Sequence, residues 1–257
     1  MEPVRPVNAP AAGGRAISSS PVDDPAPRPR PAWRTIAGRV VDLEPLDADR
    51  HAADLWDAAR EEDAGGEEIR HASWTWLPYG PFADAATMTI WIGRRAGGND
   101  PLFFAVREKA AGRVSGFVAL LNIRPQDAVL EIGHIWLAPR LQRTTAATEA
   151  IALMLRHGFD DLGYRRIEWK CNACNIPSRN AALRFGFVFE GVFFRHMIVK
   201  GHNRDTAWYS LLADEWPARR AALDAWLRPE NFDAHGRQRT RLARAEDPGR
   251  RPADTRS

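Results

Sequence analysis

The stretch from Ile132 to Thr148, IGHIWLAPRLQRTTAAT, constrains the fold of this chain more than any other. It reads as an apolar strand that stops at Pro139, crosses a short basic loop and enters a long helix at the threonines. A strand that delivers a small-residue loop to a helix N-terminus builds an anion site. The first backbone N–H groups of the helix have no internal partner, and the helix dipole favours negative charge. A phosphorylated ligand is the expected occupant. The same residues allow a second reading, in which Thr144 or Thr145 caps the helix by accepting its free amides.

Around that stretch strands and helices alternate. Val40–Leu43 reads as a short strand, and Asp47 caps a helix carrying Ala52, Leu55, Trp56 and Ala59 at helical spacing. A second helix runs from about Asp84 to Arg95 on Met88, Trp91 and Ile92, and the Gly/Asn/Pro run from Gly97 to Pro101 ends it. Three strands follow, Leu102–Arg107, Val114–Asn122 and Val129–Leu137, whose short links predict an antiparallel meander. The helix entered at the threonines stops at Gly163. The strand Arg166–Cys171 beyond it is reached by a helical crossover and is predicted parallel to Val129–Leu137. A helix from Ser178 to Phe185 comes next, then strands Phe187–Val199 and Thr206–Leu212 joined by a polar hairpin, Lys200–Asp205. A last helix follows Asp214, and the whole is an α/β fold with a mixed, mostly antiparallel central sheet and flanking helices.

Composition bounds the rest. With 257 residues and 44% hydrophobic content there is enough chain for one good-sized core or two small ones. A net charge of only +3 argues against a dedicated nucleic-acid binder, and no nucleic-acid partner is expected. No apolar run approaches a membrane span and no leader pattern opens the chain, so the expected compartment is the cytoplasm. Residues 1–32 are rich in Pro and Ala and read as a disordered tail, 33–228 as the folded domain, and 229–257 as an Arg-rich tail. Cys171 and Cys174 form a C-x-x-C without a second pair or nearby His, so no metal is expected.

Three local motifs then carry a resemblance: Gln142 to Ala147 (QRTTAA), Asn175 to Ser178 (NIPS) followed after one helix by Gly186-Phe187, and Glu190-Gly191 beyond it. In this order they resemble the GCN5-related N-acetyltransferases, and within them the branch that includes the ribosomal-protein N-terminal acetyltransferases. The resemblance covers about Trp33 to Leu227. It implies acetyl-coenzyme A as co-substrate, held in a V-shaped gap where the fourth and fifth strands splay beside a bulge. Gly133 is the natural place for that bulge. Backbone of Ile135, Trp136 and Leu137 would pair with the pantetheine arm, while Gln142, Arg143, Thr144, Thr145, Ala146 and Ala147 would hold the pyrophosphate, with Asn175 and Ser178 lining the gap. Thr145 stands where the family prefers glycine.

The implied reaction is attack of an amine on the thioester, which needs proton removal, an oxyanion donor and an acid for the thiolate. Ser178 matches the proposed proton donor of related enzymes and is also a natural N-cap. Glu131 falls near the glutamate base of histone-type relatives, and His134 has a pKa suited to proton shuttling. The branch's glutamate after Glu190-Gly191 appears here as Met197. Trp76, Tyr79 and Phe82, in a loop with prolines, form either a stacking platform for the acceptor or core packing. Arg195 and Asp205, with His202 and Arg204, sit where acceptor charge would be selected. The acceptor is expected to be a protein N-terminus or a small amine or aminoacyl compound, and the protein a monomer or homodimer. A non-catalytic acyl-CoA-binding protein of the same fold is the alternative.

Overall fold

Along the strand Leu102–Glu108 (β3), Leu102, Phe104 and Val106 join one buried cluster while Phe103 and Ala105 join another. The strand Arg113–Arg124 (β4) divides the same way, with Val118 and Leu120 on one side and Phe117 and Ala119 on the other. A period of two with both sets apolar demands a cover on each face. The computed structural model, which describes residues 15, 18–61 and 72–243, supplies both covers. Helices Ala48–Arg60 (α1) and Ala85–Gly93 (α2) close one face through Leu55, Met88 and Ile92. Helices Thr145–Arg156 (α3) and Trp216–Leu227 (α5) close the other through Ile151, Met154 and Leu223. Each fully buried Leu, Ile or Met contributes about 1.5–3 kcal/mol.

The remaining strands are Ile36–Ala37 (β1), Val41–Pro45 (β2), Val129–Leu137 (β5), Arg166–Asn172 (β6), Val188–Val199 (β7) and His202–Leu212 (β8), with helix Ile176–Arg184 (α4) between β6 and β7. Together they form one sheet in the order β1-β2-β3-β4-β5-β6-β8-β7. Every neighbouring pair is antiparallel except β5 with β6, which the α3 crossover makes parallel. The mixed, mostly antiparallel sheet is therefore as expected. The two-residue β1 shifts the count, so the expected fourth and fifth strands are β5 and β6.

Two boundaries near the site differ from the sequence reading. The polar run Lys200–Asp205 is not a loop: Val199 pairs with His202, and the turn is Lys200 and Gly201 alone, at φ 48° and 79°. Two consecutive left-handed residues fit the right-handed twist of a tight hairpin, and polar side chains are tolerated on an outer ribbon. Helix α4 starts at Ile176 because Asn175, not Ser178, is its N-cap, its Oδ1 accepting the Ser178 amide at 3.1 Å.

Parts of both expected tails contact the domain. Arg15 pairs with Glu190 and Glu215 at 3.1 and 2.6 Å, and the Arg28 amide donates to the Pro125 carbonyl at 2.9 Å. Near the other end, Leu242 is buried and the Asn231 side-chain amide donates to the Trp226 and Thr240 carbonyls. Residues 1–14, 16–17 and 244–257 of those tails lie outside the described residues.

Candidate functional site

The site begins where strand pairing fails. β5 and β6 pair only through Val129↔Arg166, Leu130↔Ile167 and Glu131↔Glu168. Beyond those rungs β5 stays with β4 to Leu137↔Gly116 and β6 stays with β8 to Asn172↔Thr206, so the two strands fork. A bulge accompanies the departure. Trp136 faces Phe117 and Gly133 faces Ala119, which leaves His134 and Ile135 together opposite Val118. His134 takes φ 47°, a left-handed conformation that costs a non-glycine residue about 1–3 kcal/mol. The bulge thus falls one residue beyond Gly133. Ile135, Trp136 and Leu137 form the β5 limb of the fork. Trp136 offers only its backbone, because its buried indole stacks on Trp74 at 4.5 Å and donates to Ser73 Oγ at 3.2 Å.

The β5 limb leads into the N-terminus of α3. Arg140 is immobilised by Glu61, Glu108 and the Ser115 hydroxyl. Arg143, exposed and at φ 64°, forms no ion pair among the described residues. Thr144 is the cap: its Oγ1 accepts the Ala147 amide at 3.1 Å and donates to the Leu141 carbonyl at 2.7 Å. Ala147 is therefore corrected out of the expected anion-binding amides, because the cap already uses its N–H. The amides of Arg143, Thr145 and Ala146 and the Thr145 hydroxyl have no protein partner among the described residues. Thr145 opens the helix without a positive φ, so a side chain there imposes no backbone strain. Gln142 faces back instead, its Nε2 donating to the Leu137 carbonyl at 3.0 Å. The cap reading thus holds for Thr144, and the cap leaves the neighbouring donors open.

On the β6 limb, Trp169 Nε1 donates to Ser178 Oγ at 3.0 Å. Ser178 is thus corrected from cap to third residue of the helix, with its hydroxyl oxygen occupied and its proton available to another acceptor. That hydroxyl also reaches the Cys171 thiol, whose pKa is raised by burial despite this contact.

His134 and Tyr79, expected in separate roles, meet: Tyr79 Oη lies 2.9 Å from His134 Nδ1, with the rings stacked at 5.6 Å. Burial pushes the His134 pKa down to about 4, with the charges of Arg95 and Arg204 adding to the effect. Burial likewise holds the Tyr79 phenol far above its ordinary pKa. Both rings are neutral at neutral pH. Glu131 is only 5% exposed, and its Oε2 accepts from Asn122 Nδ2 at 2.6 Å and from Lys170 Nζ at 2.9 Å. Burial raises its pKa, against the pull of Lys170. Lys170 also meets Glu168 at 2.8 Å, so it clamps both carboxylates of the last β5:β6 rung.

The aromatic loop divides between the two readings. Trp74 is buried, Phe82 packs edge-on against it at 5.4 Å, and Tyr79 lies against Trp91 at 4.3 Å, so these rings are core. Gly80, at φ 64°, is required for that packing: a Cβ would sit 2.5 Å from the Trp74 ring. Trp76 remains 36% exposed and lines a cleft of about 380 Å³ between this loop and the β7–β8 hairpin. Arg195 and Asp205 do not reach that lining; the Asp205 carboxylate accepts the Arg195 amide at 2.7 Å and braces a bulge in β7. Sequence reasoning missed Asn172, at the tip of β6, and Lys200, whose Nζ donates across the cleft to the Trp74 and Gly80 carbonyls at 2.9 and 2.6 Å. No local pattern announces a contact spanning more than a hundred residues. Among the described residues no group of three His, Cys, Asp or Glu is placed to hold a metal, and no helix is long and apolar enough to cross a membrane.

The fold is shared with known proteins. Residues 41–188 match the model of the acetyltransferase (GNAT) domain. A GCN5-related N-acetyltransferase from Brucella melitensis is 49% identical, superposes with a TM-score of 0.80, and is matched over 84% of this chain and 96% of that one. YdaF of Bacillus subtilis, provisionally named a ribosomal N-acetyltransferase, is 30% identical over 105 residues, 41% of this chain and 57% of its own length. The microcin C7 self-immunity acetyltransferase MccE, solved with acetyl-CoA and AMP, shares the fold at a TM-score of 0.58 and 21% identity, over 68% of this chain and 93% of that one.

Proposed function

The chain belongs to the GNAT acetyltransferase family, and on that premise we propose that it transfers an acetyl group from acetyl-CoA to a primary amine. The observation that carries this reading is the β5–β6 fork, whose β5 limb runs into a helix start with unoccupied donors. When bound, acetyl-CoA supplies a thioester carbonyl: the amine nitrogen forms the new C–N bond, the C–S bond breaks, and the thiolate gains one proton while the amine loses one.

The chain's own residues then divide the work. The amides of Arg143, Thr145 and Ala146, with the Thr145 hydroxyl and the Arg143 guanidinium, bind the pyrophosphate. Backbone of Ile135 to Leu137 orients the pantetheine arm. Ser178, its oxygen engaged by the Trp169 indole, keeps its proton for the departing sulfur. His134 is held neutral at the bulge, and we assign Tyr79 as the donor to Nδ1, which leaves the proton on Nε2 as a hydrogen-bond donor. A conjugate acid with a pKa of about 4 is a poor final holder of an ammonium proton, so we send that proton to water in the cleft. Glu131, tied to Lys170 and Asn122, serves as a buried counter-charge rather than the base. We place the reaction in the cytoplasm, where the free thiols Cys171 and Cys174 stay reduced.

Two measurements test this. Coenzyme A should raise the melting temperature, and acetyl-CoA with a panel of amines should release free thiol. A thermal shift without thiol release for any amine would leave the non-catalytic acyl-CoA binder as the correct reading, and no shift at saturating coenzyme A would remove both.

A further inference from the structure

The acceptor cleft has a charge imbalance that acetyl transfer alone does not explain. Its lining includes Lys200, His202 and Arg204 and no carboxylate. Arg204 is half-buried, its Nε has no hydrogen-bond partner, and its guanidinium forms no ion pair among the described residues. Arg107, Arg140 and Arg166, half-buried like it, are each met by a carboxylate at 2.7, 2.7 and 2.9 Å. Burial lowers the Arg204 pKa, and the groups whose charge opposes that effect are Cys171 and Glu131, the latter already engaged by Lys170. Arg204 also depresses the His134 pKa, which places its charge within reach of the fork. A guanidinium held partly out of water without a counter-ion carries a desolvation cost, and a ligand oxyanion met in bidentate fashion offsets it.

We infer that the amine acceptor carries an oxyanion of its own, a carboxylate or a phosphate, bound by the unpartnered Arg204 guanidinium beside Lys200, with Trp76 covering the adjoining part of the molecule. This rests on the acetyltransferase reading for the amine, but the anion site is independent of turnover. A basic peptide N-terminus is disfavoured by three cationic or titratable groups in the lining.

The test uses the full chain and matched pairs of amines: phenylalanine against phenylalaninamide for the carboxylate, ethanolamine phosphate against ethanolamine for the phosphate, and a lysine-rich peptide with a free N-terminus. Binding is measured by calorimetry with desulfo-coenzyme A present, and turnover by thiol release with acetyl-CoA. We expect the anionic member of at least one pair to bind and react roughly 10–100-fold better than its neutral partner. That preference should collapse in Arg204→Gln and survive in part in Arg204→Lys, with coenzyme A affinity unchanged in both. Without ligand, Arg204→Gln should melt no lower than the parent, because a half-buried charge without an ion pair is removed and no salt bridge is lost. Neutral amines equal to anionic ones, a best acceptor that is the basic peptide, no binding in either pair, or an anion preference untouched by Arg204→Gln would each overturn the inference. Anion binding that depends on Arg204 without thiol release would instead keep the inference and sink the acetyltransferase reading.

Discussion

Replacing Lys170 by Met tests the vertex of the fork. In the native protein this one ammonium meets Glu131 and Glu168, which face each other on the last β5:β6 rung. After the replacement Glu168 keeps Arg166 at 2.9 Å and Arg124 at 3.3 Å. Glu131 keeps only Asn122, and so becomes a buried carboxylate without a counter-charge. Breaking a buried pair from one side costs roughly 3–5 kcal/mol. For a domain of this size that is a fall of roughly 6–20 °C in melting temperature. The effect has a sign in pH. The folded-state pKa of Glu131 is already raised by burial, and loss of Lys170 raises it further. A raised carboxyl gives stability that is fully present below its unfolded pKa and is lost as pH rises through the folded one. The gap between Lys170→Met and the parent should therefore be widest near pH 8 and narrow as pH falls toward 5, read by urea unfolding across that range. Adding Glu131→Gln to the variant should restore most of the loss at pH 8. A deficit that is the same at every pH, or that Glu131→Gln leaves in place, would refute the assignment of Lys170 as the counter-charge of Glu131.

Three further outcomes are expected. Thr145→Arg fills the space before the free amides of α3 and should abolish the thermal shift with coenzyme A; full retention of that shift would remove the pyrophosphate from this helix start. His134, with an ordinary pKa of 6.5 and a folded value of about 4, contributes stability present above pH 6.5 and lost as pH falls through 4, on the order of 3 kcal/mol. His134→Gln should flatten that acid dependence in denaturation curves, and the parent's kcat/KM should show no His134 limb between pH 6 and 8. Ser178→Ala should lower kcat roughly 100-fold at unchanged coenzyme A affinity; an unchanged kcat would leave Ser178 a purely structural partner of Trp169.

Much of the architecture was legible because it rests on local periodicity. The meander, the crossover helix and the parallel step after it follow from apolar spacing and link length, and the cap Asp47 sits three residues before the Arg50 amide it serves; for α4 the sequence alone points to Ser178 instead of Asn175 as the cap, because either polar residue could start that helix. The candidate site was legible only in part. The Ile132 to Thr148 stretch announced a helix start, but which threonine caps it depends on where the chain turns left-handed, at Arg143. The Tyr79–His134 contact and the Lys200 bridge join segments 55 to 126 residues apart, and periodicity carries no information at that range. Polarity misled at Lys200–Asp205, where an outer ribbon needs no apolar face.

The bridge itself bears on how acceptor choice relates to stability. Lys200 ties the hairpin tip to the facing loop through the carbonyls of Trp74 and Gly80, groups that every residue possesses. The wall is thus written in main chain, while the side chains of Thr75 and Trp76, which lie between the anchor points and line the cleft, take no part in the bridge. Substitutions there alter the face the wall presents to the cleft without loosening how it stands, so under the proposed acetyltransferase reading the choice of acceptor and the stability of the scaffold are separable.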